Sequence, residues 1–153
     1  IFKLNYTNVE VVLVDNASPN NSVQQIKAWA KGDLAHVPKR KELAQLSLPV
    51  KPKPLTVQYV NAGGELFNNE ISYDFTLIEA DENKGFSNGN NLGIRYAMIK
   101  GDADYFWILN NDTVVEPDSL SNLIKRYKSE ENLGTKDSKD EPMGSSSPQY
   151  PKF

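Results

Sequence analysis

The run "VEVVLV", Val9 to Val14, constrains the fold more than any other stretch of the chain. It is mostly β-branched and suits a strand buried on both faces, as in a parallel sheet covered by helices on either side. It ends in Asp15-Asn16-Ala17-Ser18-Pro19, and a helix should follow. Ser22 and Gln25 have the spacing of a capping box. Val23, Ile26 and Ala30 share one helical face, and Gly32 can end the helix.

The same alternation returns further along. "FTLIEA" leads into "DENKGFSNGNN" and then into an expected helix from about Asn90 to Lys100. Leu92, Tyr96 and Ile99 follow the spacing i, i+4, i+7, with Gly101 closing the helix. "YFWIL", Tyr105 to Leu109, reads as another buried strand. Pro117 suits the first position of a last helix, with Leu120, Leu123, Ile124 and Tyr127 as its core stripe. Strands alternating with helices of about three turns predict an α/β fold, a mostly parallel sheet flanked by helices.

An insert interrupts this pattern over about residues 33–76. Its first part contains "HVPKRKELAQLSLPVKPKP". With Pro38, Pro49, Pro52 and Pro54 it reads as a mobile surface excursion outside the ligand pocket, with a short helix around Lys41 to Leu46. "LTVQYV" and "ISYDFTLIEA" flank "NAGGELFNNE", where Gly63-Gly64 signals a turn and hence a hairpin. Residues 134–153 have little apolar periodicity and are expected to form a disordered or irregular tail.

A chain of 153 residues suits one domain. The net charge of −3 argues against a nucleic-acid binder, because phosphate backbones require a basic face. Zero Cys excludes disulfides, thiolate zinc sites and cysteine nucleophiles. No apolar run reaches the ~18 residues of a membrane span, and no signal peptide opens the sequence. Ile1 in place of Met leads us to expect a processed product or an excised piece.

Three polar clusters fall at predicted strand ends: Asp15-Asn16, Asp81 to Asn91, and Asn110-Asn111-Asp112. Asn and Asp at one strand end are explained by a turn. Three such ends at one edge point to a site, because open α/β sheets bind ligands outside the carboxyl ends of their strands. Asp112 is a hard oxygen ligand suited to Mg²⁺ or Mn²⁺. Such a metal would neutralise a diphosphate that an acidic protein lacks the side-chain charge to hold. Asn110 and Asn111 suit ribose or metal-bound water. Gly85 and Gly89 let the backbone approach a ligand, Lys84 adds a charge, and the helix start at Asn90 favours anions. His36 and the Lys39-Arg40-Lys41 run read as solvated surface.

"VEVVLVDNASPNNS", "NKGFSNGNNLGIRYA" and "YFWILNNDTVVEPDSL", in this order, resemble family 2 glycosyltransferases of the GT-A (Rossmann-like) fold, with the bacterial rhamnosyltransferase-like branch nearest in appearance. The resemblance runs from about Val9 to Leu133 across the insert. It implies an incomplete GT-A domain over residues 1–133 that takes part in polysaccharide biosynthesis. It implies sugar transfer from a nucleotide-diphosphate sugar to the hydroxyl of a carbohydrate or lipid-linked acceptor, with inversion and with Mg²⁺ or Mn²⁺.

By position, Asp15, with Asn16 beside it, resembles the acid at the nucleobase. Asn83, Lys84, Gly85, Asn88, Gly89, Asn90 and Asn91 resemble the segment lining the nucleotide and diphosphate. Asn110, Asn111 and Asp112 stand where the family has Asp-x-Asp, so metal contact would rest on Asp112. The family's first strand is absent from the resemblance, and no residue can be assigned as its general base. Weak turnover, self-association and a cytoplasmic location, at most peripheral to the inner face of the cell membrane, are the corresponding expectations. The rival reading is a non-catalytic nucleotide-sugar-binding module or a partner-binding fragment. Turnover of a donor sugar separates the two.

Overall fold

A computed structural model describes residues 1–36, 38, 40–48, 51–61 and 71–134, the side chains of 131–134 excepted. Three strands form one sheet: β1 (Val12–Asp15), β2 (Val57–Asn61) and β3 (Phe75–Glu79), in the order β1-β3-β2 and all parallel. Leu13 pairs with Leu77 and Tyr59 with Leu77, so β3 is the central strand. Two helices sandwich this sheet, α1 (Ser22–Lys31) and α2 (Phe86–Lys100), which gives the expected α/β architecture in three layers.

The alternation of side chains along each strand divides the core in two. On the α1 side Ala30, Leu55, Phe75 and Leu77 are buried together, with Leu13, Val23, Ile26 and Trp29 against them. On the α2 side lie Val60, Ile78 and Tyr96, backed by Val12, Val14 and Ala97. Val23, Ile26 and Ala30 therefore face the core as their spacing requires. Gly32 ends α1 with its N–H returned to the carbonyls of Ala28 and Trp29, and Gly101 ends α2 with its N–H on the Ala97 carbonyl.

Several expectations change. The strand buried on both faces is β3, where four of the five residues are buried, whereas β1 lies at the sheet edge and is shorter than Val9 to Val14. β-Branching marks a strand but not its place in the order. The expected capping box does not form, since the cap residue makes no side-chain bond to a backbone N–H of the first turn. Helix α1 begins at Ser22, Asn21 is its cap position, Gln25 Nε2 donates to Asn21 Oδ1 (2.6 Å), and the Ser22 N–H goes to Asn20 Oδ1 (3.0 Å).

The hairpin is not formed, since β2 and β3 run parallel. A pair of glycines announces a turn but does not say whether the chain folds straight back or crosses over first. Gly63-Gly64 and the rest of "AGGELFNNE" lie outside the described residues, as do 135–153 of the expected tail.

The insert is tied to the fold. Leu55 is in the core, and the Leu55 N–H donates to the Ala30 carbonyl (2.8 Å). The short helix appears at Lys41–Leu43 and Ala44–Ser47. The Lys53 ammonium sits 3.1 Å from the centre of the Trp29 ring, an enclosed cation on an aromatic face. Burial lowers the Lys53 pKa and the nearby Asp74 carboxylate opposes that shift. His36 is exposed, as expected.

"YFWIL" does not form a strand. Residues 105–109 carry no regular secondary structure and are half-open to solvent, with Phe106 47% and Ile108 52% exposed. Tyr105 instead meets Tyr127 edge-on at 5.4 Å. The last helix, α3, spans Ser119–Gly134, so Pro117 precedes it by two residues. Of its expected core stripe Leu120 is buried, while Leu123 and Tyr127 are exposed. In α2, Ile99 is 65% exposed, while Gly93 faces Val12 and Val14 of β1 and Gly89 faces Asn16 just beyond that strand. A helical period identifies which residues share a face. It does not supply the surface that covers them.

Candidate functional site

Because all three strands are parallel, Asp15, Asn61 and Glu79 are register partners at one edge of the sheet. The loops after β1 and β3 leave from there and meet. Asp15 is buried, and its Oδ2 accepts the Ser18 N–H at 3.0 Å. The Asp15 carbonyl accepts the Ala80 N–H (2.9 Å), so the two strand ends are joined at the mouth of the edge.

Asn16 Nδ2 then donates to Asn83 Oδ1 (2.9 Å) and to the Gly85 carbonyl (3.0 Å). Asn83 Oδ1 also accepts the Gly85 N–H at 2.9 Å. Gly85 has φ of +86°, a conformation natural to glycine, and a side chain there would meet nothing within 4 Å. It leads into α2. That helix begins at Phe86, so the helix start lies four residues before Asn90. Its first internal bond is Gly89 N–H to Gly85 C=O (3.2 Å), and no side chain caps it. The N–H groups of Phe86, Ser87 and Asn88 precede that bond and give the helix start its positive end.

Asp15, Asn16, Asn83, Gly85 and Gly89 are thus brought together. Gly89 faces Asn16 rather than open space. Asn88 and Asn90 flank it, and Asn91, about 200° round the helix from Gly89, is exposed. Lys84 is exposed and pairs with Glu82 at 2.5 Å. Asn110, Asn111 and Asp112 form a separate exposed turn, closed by the Thr113 N–H on the Asn110 carbonyl (3.1 Å). Among the described residues no hydrogen bond or ion pair joins that turn to the Asn16 cluster, and no three acidic or histidine side chains group as a metal site.

Two features of this edge escaped the sequence reading. Glu79 closes β3 beside Asp15 and pairs with Lys27 at 2.6 Å, and Lys27 also lies 5.0 Å from the centre of the Tyr59 ring. The strand-end rule that selected Asp15 applies equally to Glu79. Behind the edge, Tyr96 Oη donates to Gln58 Oε1 (2.7 Å) and lies 3.3 Å from Thr76 Oγ1, a buried polar group inside the α2 face. Burial raises the Tyr96 pKa, with the Thr76 contact opposing it and the charge of Glu10 adding to it. Gln58 and Thr76 sit in strand patterns that read as apolar, so only packing reveals that they meet.

A parallel α/β sheet with its polar loops gathered at the carboxyl edge is the setting of a ligand-binding α/β domain. The profile of glycosyl transferase family 2 matches residues 64–150, more than half of the chain, and the chain belongs to that family. The match takes in β3, α2, the 110–113 turn and α3, and leaves Asp15 and Asn16 before it. Over 95 residues the chain is 30% identical to the poly-beta-1,6-N-acetyl-D-glucosamine synthase of Staphylococcus aureus strain COL, with the same figures for strains N315 and MSSA476. The aligned part is 58% of this chain and 22% of each synthase, so the chain spans about a fifth of the curated relatives it matches. No solved structure matches it. No described helix is long and apolar enough to cross a membrane.

Proposed function

We propose that this chain carries the donor side of a metal-dependent, inverting glycosyltransferase. The observation that supports this most directly is the meeting of the β1 and β3 loops at the carboxyl edge, where open space over Gly85 adjoins an uncapped helix start. In this reading the nucleobase lies toward Asp15. The diphosphate lies along Gly85 and the first turn of α2, whose free N–H groups favour anions. Asn110 and Asn111 serve the ribose. The sugar transferred is presented to an acceptor hydroxyl, which attacks the anomeric carbon as the nucleoside diphosphate departs.

Asp112 is an exposed hard carboxylate that follows the two amides Asn110 and Asn111. That donor set fits Mg²⁺ or Mn²⁺, which are commonly held by one or two carboxylates and completed by substrate phosphates and water. A bound metal supplies charge stabilisation to the leaving diphosphate. The relatives are named as synthases of poly-beta-1,6-N-acetyl-D-glucosamine, so a nucleotide-linked N-acetylglucosamine is the first donor to test. The likeness of the motifs to the rhamnosyltransferase branch makes nucleotide-linked rhamnose the second. The acceptor is a carbohydrate or lipid-linked hydroxyl, at the cytoplasm or the inner face of the cell membrane. Exposed apolar residues such as Phe106 and Ile108 favour self-association.

Calorimetry with nucleoside diphosphates and these donors, with and without Mn²⁺, tests the reading. Asp112→Asn should weaken Mn²⁺-dependent binding by at least ~1.4 kcal/mol, a factor of ten. Asn110→Ala should cost less, since a neutral amide is the poorer metal ligand. Equal Mn²⁺-dependent affinity in wild type and Asp112→Asn removes Asp112 from the site. Binding without donor turnover, in the presence of acceptors, supports the non-catalytic module instead.

A further inference from the structure

We propose that Asn16 and Asn83, packed on Gly89, form a latch that holds the start of α2 against the end of β1, and that Asn16 positions the donor site without touching the donor. The inference rests on the donor-site reading above.

Hydrogen-bond direction carries the argument. The Gly85 N–H can only donate, so the atom of Asn83 that receives it is the amide oxygen. That fixes the Asn83 amide. Asn16 must then present its NH₂ to the same oxygen, and its second hydrogen meets the Gly85 carbonyl. The opposite orientation would set an oxygen of Asn16 against two other oxygens. Both donor hydrogens of Asn16 are therefore spent within the fold. Its Oδ1 is enclosed and has no hydrogen-bond partner among the described residues. No atom of this side chain is offered to a ligand.

The latch grips the residue that starts the helix. The Gly85 carbonyl that receives Asn16 also receives the Gly89 N–H, the first bond of α2. At Gly89 the helix comes so close that an added Cβ would stand 3.3 Å from Asn16 Cγ. One amide side chain thus sets the height and direction of the N–H groups of Phe86, Ser87 and Asn88, which the donor reading assigns to the diphosphate. Sequence alone suggests the opposite role, because an Asn beside a strand-end Asp looks like a ligand contact.

The test uses Asn16→Asp, which keeps the shape and removes both donor hydrogens, and Asn83→Ala, which removes the shared acceptor. Two quantities are measured in wild type and variants: amide hydrogen exchange at Gly85 and Gly89, and the affinity of the nucleoside diphosphate that binds wild type best in the presence of Mn²⁺. The latch predicts exchange about tenfold faster at both amides in each variant, with β3 amides unchanged, and affinity about tenfold weaker. Weaker binding with unchanged exchange overturns it, since Asn16 would then contact the ligand. Faster exchange with unchanged affinity overturns the positioning role. A wild-type protein that binds none of the nucleotides overturns the donor-site reading and the positioning role with it. That result differs from a latch failure, in which wild type binds.

Discussion

Asp74 shows how one carboxylate joins separate parts of the chain. Its N–H donates to the Thr56 carbonyl and its Oδ2 accepts the Thr56 N–H, both at 2.7 Å. Its Oδ1 pairs with the Lys51 ammonium. The strand starts of β2 and β3 and the Pro-rich segment before β2 are thereby fastened together. The hydrogen bond from Lys51 holds the Asp74 pKa below its ordinary value, helped by the Thr56 N–H and the charges of Lys51 and Lys53 and opposed by burial. A carboxyl depressed in the folded state contributes stability above its unfolded-state pKa, and loses it as pH falls through the folded pKa. Urea unfolding should therefore show a loss of stability on acidification that is smaller in Asp74→Ala. At neutral pH that variant should be less stable by about 1–2 kcal/mol, the lower part of the charge-assisted range because the Lys51 pair is partly in water. Identical acid limbs in the two proteins would show that Asp74 is not the responsible group.

At the scale of elements, α2 is set by its glycines. Gly89 and Gly93 lie one turn apart on the side facing β1, and an added Cβ at Gly93 would stand 3.2 Å from Val14 Cγ2. The helix lies low on the strand because both positions lack a side chain. In an exposed helix Gly→Ala stabilises by about 1 kcal/mol. Here Gly93→Ala should do the reverse, since overpacking costs about 1–3 kcal/mol and Val14 belongs to a hydrogen-bonded strand with little room to move. A thermal melt decides the sign, and a raised melting temperature would mean that α2 can lift from the sheet without loss. Lys100 fastens the other end of this helix, pairing with Glu10 at 2.7 Å and Asp102 at 3.2 Å. Burial lowers its pKa, but the bonds to Glu10 and Asp102 outweigh that and raise it.

Over the whole molecule, burial is uneven. β3 is enclosed between α1 and α2, whereas Tyr105, Phe106 and Ile108, and Lys125 to Glu130 of α3, are exposed to solvent. The N-terminal segment is tied to the start of the last helix, with the Asn5 N–H on the Pro117 carbonyl at 2.9 Å. Local stability follows buried contacts and protected hydrogen bonds. Amides of α3 should therefore exchange with solvent at least about tenfold faster than those of β3. Equal protection, followed by mass spectrometry of peptic fragments, would show that the exposed apolar residues of α3 are covered in solution.

The sequence by itself determined the class of fold, the positions of most helices and two of the three strand-end clusters, those at the ends of β1 and β3; the third, Asn110 to Asp112, follows no strand. Apolar period, glycine caps and the Asn- and Asp-rich stops are local patterns, and a helix or turn forms largely from neighbours in the chain. The motifs of "NKGFSNGNN" and "NNDTVV" were equally legible. Tertiary structure alone decided the rest. It put β3 rather than β1 at the centre, ran β2 and β3 parallel, and left "YFWIL" unpaired, because strand order and pairing join residues far apart in sequence. It also turned Asn16 inward. An amide's role depends on which donors and acceptors surround it, and those of Asn16 come from Asn83 and Gly85, which only the meeting of two loops at one sheet edge brings within reach.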